Sequence, residues 1–123
     1  MALGGDGVGH LGDEHQNRAV FVPGALPGET VRAQVDLSSK PARGRLLQVV
    51  EASPDRVAPA CKEAGRCGGC DLFHLRTEAQ PSMHAELVRS ALARSVEELP
   101  PIVAHPAAKT ERYRTRARLA ILA

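Results

Sequence analysis

The sequence predicts a mainly β chain with one α-helix: a small barrel first, a cysteine-rich loop next, then the helix and the first strand of a truncated domain. Three observations carry this reading. Short apolar or alternating runs separated by Gly/Pro turns fill residues 1–53 with no helical period between them. All three cysteines fall between Cys61 and Cys70. Only residues 77–99 place apolar side chains at spacings of three and four.

Taken in order, Gly4 to Gly9 is a glycine-rich stretch beside a short strand around Val8. Ala19-Val-Phe-Val22 is an apolar run closed by Pro23-Gly24, with Phe21 read as core. A Pro-Gly turn follows in Ala25-Leu-Pro27-Gly28-Glu29, where Gly24 and Gly28 suit turns with unusual φ. Thr30 to Leu37 alternates, with Val31, Ala33, Val35 and Leu37 on one face and Thr30, Arg32, Gln34 and Asp36 on the other, the pattern of a half-buried strand. Ser38 to Pro41 is a loop, and Arg45 to Ala52 is a strand with apolar residues on both faces. At this length the pattern suggests an oligonucleotide-binding (OB-like) type of β-barrel.

Residues 54–76 show neither period, and irregular structure of that length calls for a functional or covalent reason. The helix over 77–99 opens on a possible capping box, Thr77-x-x-Gln80, with Pro81 in its first turn. Met83, Leu87, Val88, Ala91, Leu92, Val96 and Leu99 form a stripe expected to pack in a core, and Pro100-Pro101 ends it. The tail alternates Arg112, Arg114, Arg116 and Arg118 against Tyr113, Thr115, Ala117, Leu119 and Ile121. It reads as the opening strand of a domain continued elsewhere, since four like charges on one face of a lone strand repel. The organisation is therefore a barrel over 1–53, a cysteine loop over 54–76, and a helix with the start of a truncated domain over 77–123.

A hydrophobic share of 43% excludes a disordered chain, and an aromatic share of 2% makes the core aliphatic. A net charge of +2 permits an anionic partner without demanding one. Arg greatly outnumbers Lys, which suits phosphate contacts, although a GC-rich genome would enrich Arg equally. The Met-Ala-Leu-Gly-Gly start is no signal sequence, and no apolar run approaches the roughly 20 residues of a membrane span. A cytoplasmic setting with no membrane partner is expected, where clustered thiols read as ligands rather than disulfides.

Soft thiolates suit iron–sulfur clusters and zinc alike. Cys61, Cys67 and Cys70 leave one coordination position open, which Cys70-x3-His74 would close as a Cys3His zinc site. Unliganded thiols, and a merely packed His74, are the plainer alternatives. His10, His15, His84 and His105 read as surface residues. Candidate phosphate contacts are Arg18, Lys40, Arg43, Arg45 and Arg56 on the barrel side and Arg114 and Arg116 in the tail, against the alternative of an ordinary solvated basic face.

The chain resembles the N-terminal part of the bacterial RNA (uracil-5-)-methyltransferases, in particular their 23S rRNA branch. The residues that carry the resemblance are Gly4-Gly-Asp-Gly-Val-Gly9, Ala19-Val-Phe-Val-Pro-Gly-Ala-Leu-Pro-Gly-Glu29, Ser53-Pro-Asp-Arg56, Cys61-x5-Cys67-Gly-Gly-Cys70 and Tyr113-Arg-Thr-Arg116. The resemblance implies a TRAM domain, an RNA-binding barrel, up to about Ala52. It implies that Cys61, Cys67 and Cys70 are three ligands of a [4Fe–4S] cluster whose fourth ligand lies outside this chain. RNA, rRNA in particular, is the implied partner, with no DNA expected. S-adenosylmethionine binding and the catalytic cysteine would belong to a part beyond Ala123, so whether these residues act as an enzyme by themselves is left open.

Overall fold

Glycine and proline punctuation divides the first fifty residues into four strands. In the computed structural model, which describes residues 1–2, 4–12, 17–67, 69–93, 95–109 and 113, they are β1 (Gly7–His10), β2 (Ala19–Val22), β3 (Thr30–Asp36) and β4 (Ala42–Glu51). They form one sheet in the order β1-β2-β4-β3. β1 pairs antiparallel with β2, β2 runs parallel to β4 through Val20↔Ala42 and Phe21↔Arg43, and β4 pairs antiparallel with β3. Among the described residues the sheet does not close, so β1 and β3 are its edges.

Period-two alternation sorts the faces. Val20, Val22, Ala25 and Ala42 form the buried core of the sheet, with Val31, Ala33, Val35 and Leu46 packed against it. The inward β4 positions at its start are Ala42 and Gly44, both small. A Cβ at Gly44 would stand 3.0 Å from a Val22 methyl, so the bulk there comes from β2. Gly24 and Gly28 do adopt positive φ, at 80° and 78°, in the turn after β2.

Several expectations are corrected. β4 begins at Ala42 and not Arg45. Leu37 lies past the end of β3 and is exposed, because the Asp36 carboxylate accepts from the Ser38 N–H (2.9 Å) and hydroxyl (2.6 Å) and turns the chain. Phe21 is half-buried on the face opposite Val20 and Val22, outside the core.

A second apolar cluster joins Leu26, from the turn after β2, to Leu72, Leu75 and Ala79, with Met1 and Met83 against it. Here the predicted helix begins, as a 3-10 turn at Thr77–Ala79 followed by α1 (Gln80–Leu92). The expected capping box does not form: the N-caps are Arg76 and Ala79, and neither makes a side-chain capping bond among the described residues. The Gln80 side-chain amide instead donates to the Leu72 and Leu75 carbonyls at 3.3 and 3.1 Å, fastening the helix start to the segment before it. Pro81 sits in the first turn as expected. The helix ends seven residues short of Leu99, and none of its residues is buried. Met83 reaches the second cluster, whereas Val88, Leu92 and Val96 remain 46%, 41% and 42% exposed. Among the described residues the far half of the stripe finds no core, and helices draw most of their stability from such packing. The strand expected over 112–122 lies outside the described residues apart from Tyr113.

Candidate nucleic-acid interface and cysteine loop

The outward residues of β3 and β4 build a polar face from cross-strand neighbours. Arg32 lies opposite Gln48, Gln34 opposite Arg45, and Asp36 opposite Arg43. Arg45 donates to the Gln34 side-chain oxygen at 2.9 Å, and Arg32 approaches that of Gln48 at 3.5 Å. Arg43 is 61% exposed and held only loosely by Asp6, also at 3.5 Å. The face thus presents three guanidinium groups whose donors are mostly unused, beside the half-buried ring of Phe21, which the register puts next to Arg43. Arginine donors for phosphates with an aromatic ring for a base are the usual parts of a single-strand binding surface.

Glu29, the last residue of the Pro-Gly turn, ties this sheet to the rest. Its carboxylate is wholly buried. It accepts hydrogen bonds from the Leu26 N–H at 2.9 Å, the Ser53 N–H at 3.1 Å and the Arg56 guanidinium, whose Nη2 stands 2.7 Å away. Burial alone would raise its pKa. The hydrogen bonds and charge of Arg56, with the two N–H donors, outweigh that and lower it to about 2. Arg56 also donates to the Gly24 carbonyl at 2.6 Å, so its donors face inward.

Arg56 also lies near the start of the cysteine loop. It forms an antiparallel bridge with Leu75, supported by Val57 N–H to the His74 carbonyl and Arg76 N–H to the Asp55 carbonyl, both at 2.9 Å. Arg76 pairs with the Asp55 carboxylate besides. Residues 57–74 therefore leave and return at one pinned base. Between its ends the chain is exposed from Val57 to Asp71 wherever it is described, and Cys61, Cys67 and Cys70 are exposed free thiols. The Cys67 N–H bonds the Glu63 carbonyl at 2.9 Å, and a Cβ at Gly69 would lie 3.4 Å from the Cys67 sulfur, an ordinary contact distance. Among the described residues no three His, Cys, Asp or Glu side chains are gathered to hold an ion. The donor set still fits a soft metal centre chemically: three reduced, solvent-reachable thiols on a loop anchored only at its base.

At the end of that loop His74 is buried, and its Nε2 has no hydrogen-bond partner among the described residues. Burial lowers its pKa, as does the charge of Arg56, against an opposing pull from Glu29. His74, Cys67 and Cys70 line a cavity of about 1060 Å³ together with Gln34, Asp36, Arg43 and Arg45 from the sheet.

Of the candidate phosphate contacts, Arg43 and Arg45 lie together on the outer face and Lys40 is exposed beside β4. Arg18 and Arg56 turn to structural partners. Arg18 donates to the Leu37 and Ser39 carbonyls at 2.8 and 2.7 Å, bracing the β3–β4 loop. Arg114 and Arg116 lie outside the described residues. Sequence reasoning left Arg32 out of the phosphate candidates and read Phe21 as core, whereas the structure puts both on the outer face. The alternation that put Arg32 on the polar side of β3 was a usable signal for the first.

A TRAM-domain family model matches residues 4–47. Those residues are a TRAM domain. The chain is 42% identical, over 99% of its length, to the 23S rRNA (uracil(1939)-C(5))-methyltransferase RlmD of Shewanella amazonensis, of which it covers 29%. It is 44% identical over 98% of its length to the protein of that name from Halomonas elongata, covering 25% of it. An uncharacterized RNA methyltransferase of Caulobacter vibrioides is 42% identical over 85% of the chain. The chain is similar to these RNA methyltransferases over most of its own length, and it spans about a quarter of the length of the relatives it matches. Among the described residues no helix is long and apolar enough to cross a membrane.

Proposed function

We propose that this chain is the RNA-binding and cluster-holding part of an S-adenosylmethionine-dependent RNA (uracil-5-)-methyltransferase, with rRNA as its substrate. The RNA strand lies along the outer face of the sheet. Arg32, Arg43 and Arg45 neutralise phosphates and Phe21 offers its ring to a base. The pairing of under-used guanidinium groups with that ring, on a TRAM domain, is the observation that supports this reading most. Methyl transfer belongs to the part of such enzymes that this chain does not span.

In this reading Cys61, Cys67 and Cys70 hold a [4Fe–4S] cluster with one further ligand from outside the chain. When bound, the cluster supplies a rigid anionic centre with a reduction potential of its own. The chain's own residues set its place: the Arg56–Leu75 bridge and the Glu29–Arg56 pair fix the base of the loop against the TRAM domain.

Anaerobic reconstitution with iron and sulfide tests the cluster. A brown protein absorbing near about 400 nm, whose iron is lost in Cys67→Ser, is the expected result. Incubation of the isolated chain with methyl donor and rRNA is expected to give no methylated uridine, and activity from this chain alone would overturn the division of labour. One observation favours a second reading, a free-standing RNA-binding module with a Cys3His zinc site: the buried, unpartnered Nε2 of His74 at the end of the same loop. A colourless protein carrying one zinc, released by His74→Ala, would select it.

A further inference from the structure

The cavity between the sheet and the cysteine loop has the size and the polarity of a nucleotide site. Its volume is about 1060 Å³, far more than a single water or ion needs. Two of its sides differ in chemistry. Pro23, Val35 and Leu46 give it an apolar wall on which a base can lie, flanked by Gly24, which carries no side chain to obstruct it. Arg43 and Arg45 contribute from the sheet and Arg66 from the loop. Arg66 makes no side-chain ion pair among the described residues, and Arg45 engages only the Gln34 amide oxygen. Of the three carboxylates on the same cavity, Asp6 faces Arg43 and Asp36 accepts from Ser38, and Asp71 makes no side-chain ion pair among the described residues, so Arg66 and Arg45 are the cations left for a phosphate.

Two polar groups remain without a hydrogen-bond partner among the described residues. His74 is 91% buried, with Nε2 unpartnered, and a buried polar atom without a partner costs stability unless something pairs with it. Among the described residues the side-chain nitrogen of Gln34 makes no hydrogen bond, while its oxygen accepts from Arg45. A neutral imidazole nitrogen and a carboxamide are the groups that read the edge of a nucleobase, and guanidinium groups are those that hold its phosphate.

We infer that this cavity takes one nucleotide of the bound RNA, turned away from its neighbours, with its base against Val35 and Leu46, its edge toward His74 and Gln34, and its phosphate on Arg45 and Arg66. The inference rests on the RNA-binding reading above and adds a place where a single base is inspected. Cys67 and Cys70 line the same cavity.

The test is a nitrogen-15 NMR titration of the reduced chain with uridine 5′-monophosphate, with uridine and inorganic phosphate as controls, beside anisotropy binding of a fluorescein-labelled single-stranded 12-nucleotide RNA. Saturating shifts at Gly24, Val35, Arg45, Arg66 and the His74 ring nitrogens, stronger with the nucleotide than with either control, are expected. Arg66→Gln, on an exposed loop where folding is not at risk, is expected to weaken the nucleotide about tenfold, the size of one charge-assisted hydrogen bond. Inorganic phosphate reproducing the whole pattern, or RNA binding tightly while the cavity signals stay still, overturns the inference and leaves the RNA-binding reading standing. Failure of the 12-nucleotide RNA to bind at all overturns that reading and the inference with it.

Discussion

Glu29→Gln isolates the contact that joins the TRAM domain to the cysteine loop. The native carboxylate is fully buried and its pKa is lowered from 4.5 to about 2, a difference of roughly 2.5 pH units. At 1.36 kcal/mol per unit this amounts to about 3 kcal/mol in favour of the folded state at neutral pH. The glutamine is nearly isosteric and still accepts one or two of the hydrogen bonds, but it leaves the part-buried Arg56 without an anion. Breaking one side of a buried pair costs about 3–5 kcal/mol, so two independent routes agree on the size. The sign fixes the pH window. A carboxylate whose folded pKa lies below its unfolded value stabilises the fold fully above about pH 4.5, and that contribution is lost as pH falls toward 2. Urea unfolding of native protein and Glu29→Gln at pH 7 and again near pH 2.5 measures both. A gap of about 3 kcal/mol at pH 7 that mostly closes at the lower pH is expected. A gap below about 1 kcal/mol at pH 7, or one that persists unchanged in acid, would refute the reasoning. If the glutamine variant does not fold, the acid-induced loss of stability in the native protein alone carries the test, with Glu29→Asp as the milder change.

Two glycines should separate crowding from strain. A Cβ at Gly7 would meet the Ala25 Cβ at 2.7 Å and its carbonyl oxygen at 2.8 Å, so Gly7→Ala should lower stability by about 2 kcal/mol or more. At Gly28 nothing stands within 4 Å and only φ of 78° opposes a side chain, so Gly28→Ala should cost about 1 kcal/mol. Thermal melts of the two variants rank them, and equal losses would contradict the geometry. His74 is held neutral by burial, so stability should decline as pH falls below 6.5, where the unfolded chain takes up the proton first. His74→Leu should abolish that part of the decline, read from melting temperatures at pH 7.5 and 5.5.

The parts of the fold that were legible in the residues are those in which one strand alone reports its environment. Val31, Ala33 and Val35 alternate with Arg32 and Gln34, and they pack as the alternation requires. The start of β4 was hidden because its inward positions are Ala42 and Gly44, which lack the bulk that marks an apolar face. Phe21 misled for the opposite reason: a run of four apolar residues does not say which of them face inward. The helix stripe was read correctly as apolar, but burial needs a surface to bury against, and beyond Met83 the described residues supply none. Glu29 and Arg56 stand 27 residues apart, and no local pattern could join them. At the site, the cysteine spacing and the pair Arg43 and Arg45 were visible in the sequence. That Arg18 and Arg56 are structural, and that His74 ends buried at the cavity, depend on tertiary packing.

The most direct test of the account is the salt dependence of RNA binding by the sheet face. The 12-nucleotide RNA is titrated across a series of salt concentrations with native chain and with an Arg43→Gln, Arg45→Gln double variant, which keeps the neighbouring carboxylates in place. Each phosphate contact on a single strand contributes about 0.7 to the slope of log K against log salt, so the double variant should lower the slope by about 1.4 and weaken binding at every salt concentration. Identical slopes and affinities for the two proteins would contradict the assignment of this face to RNA.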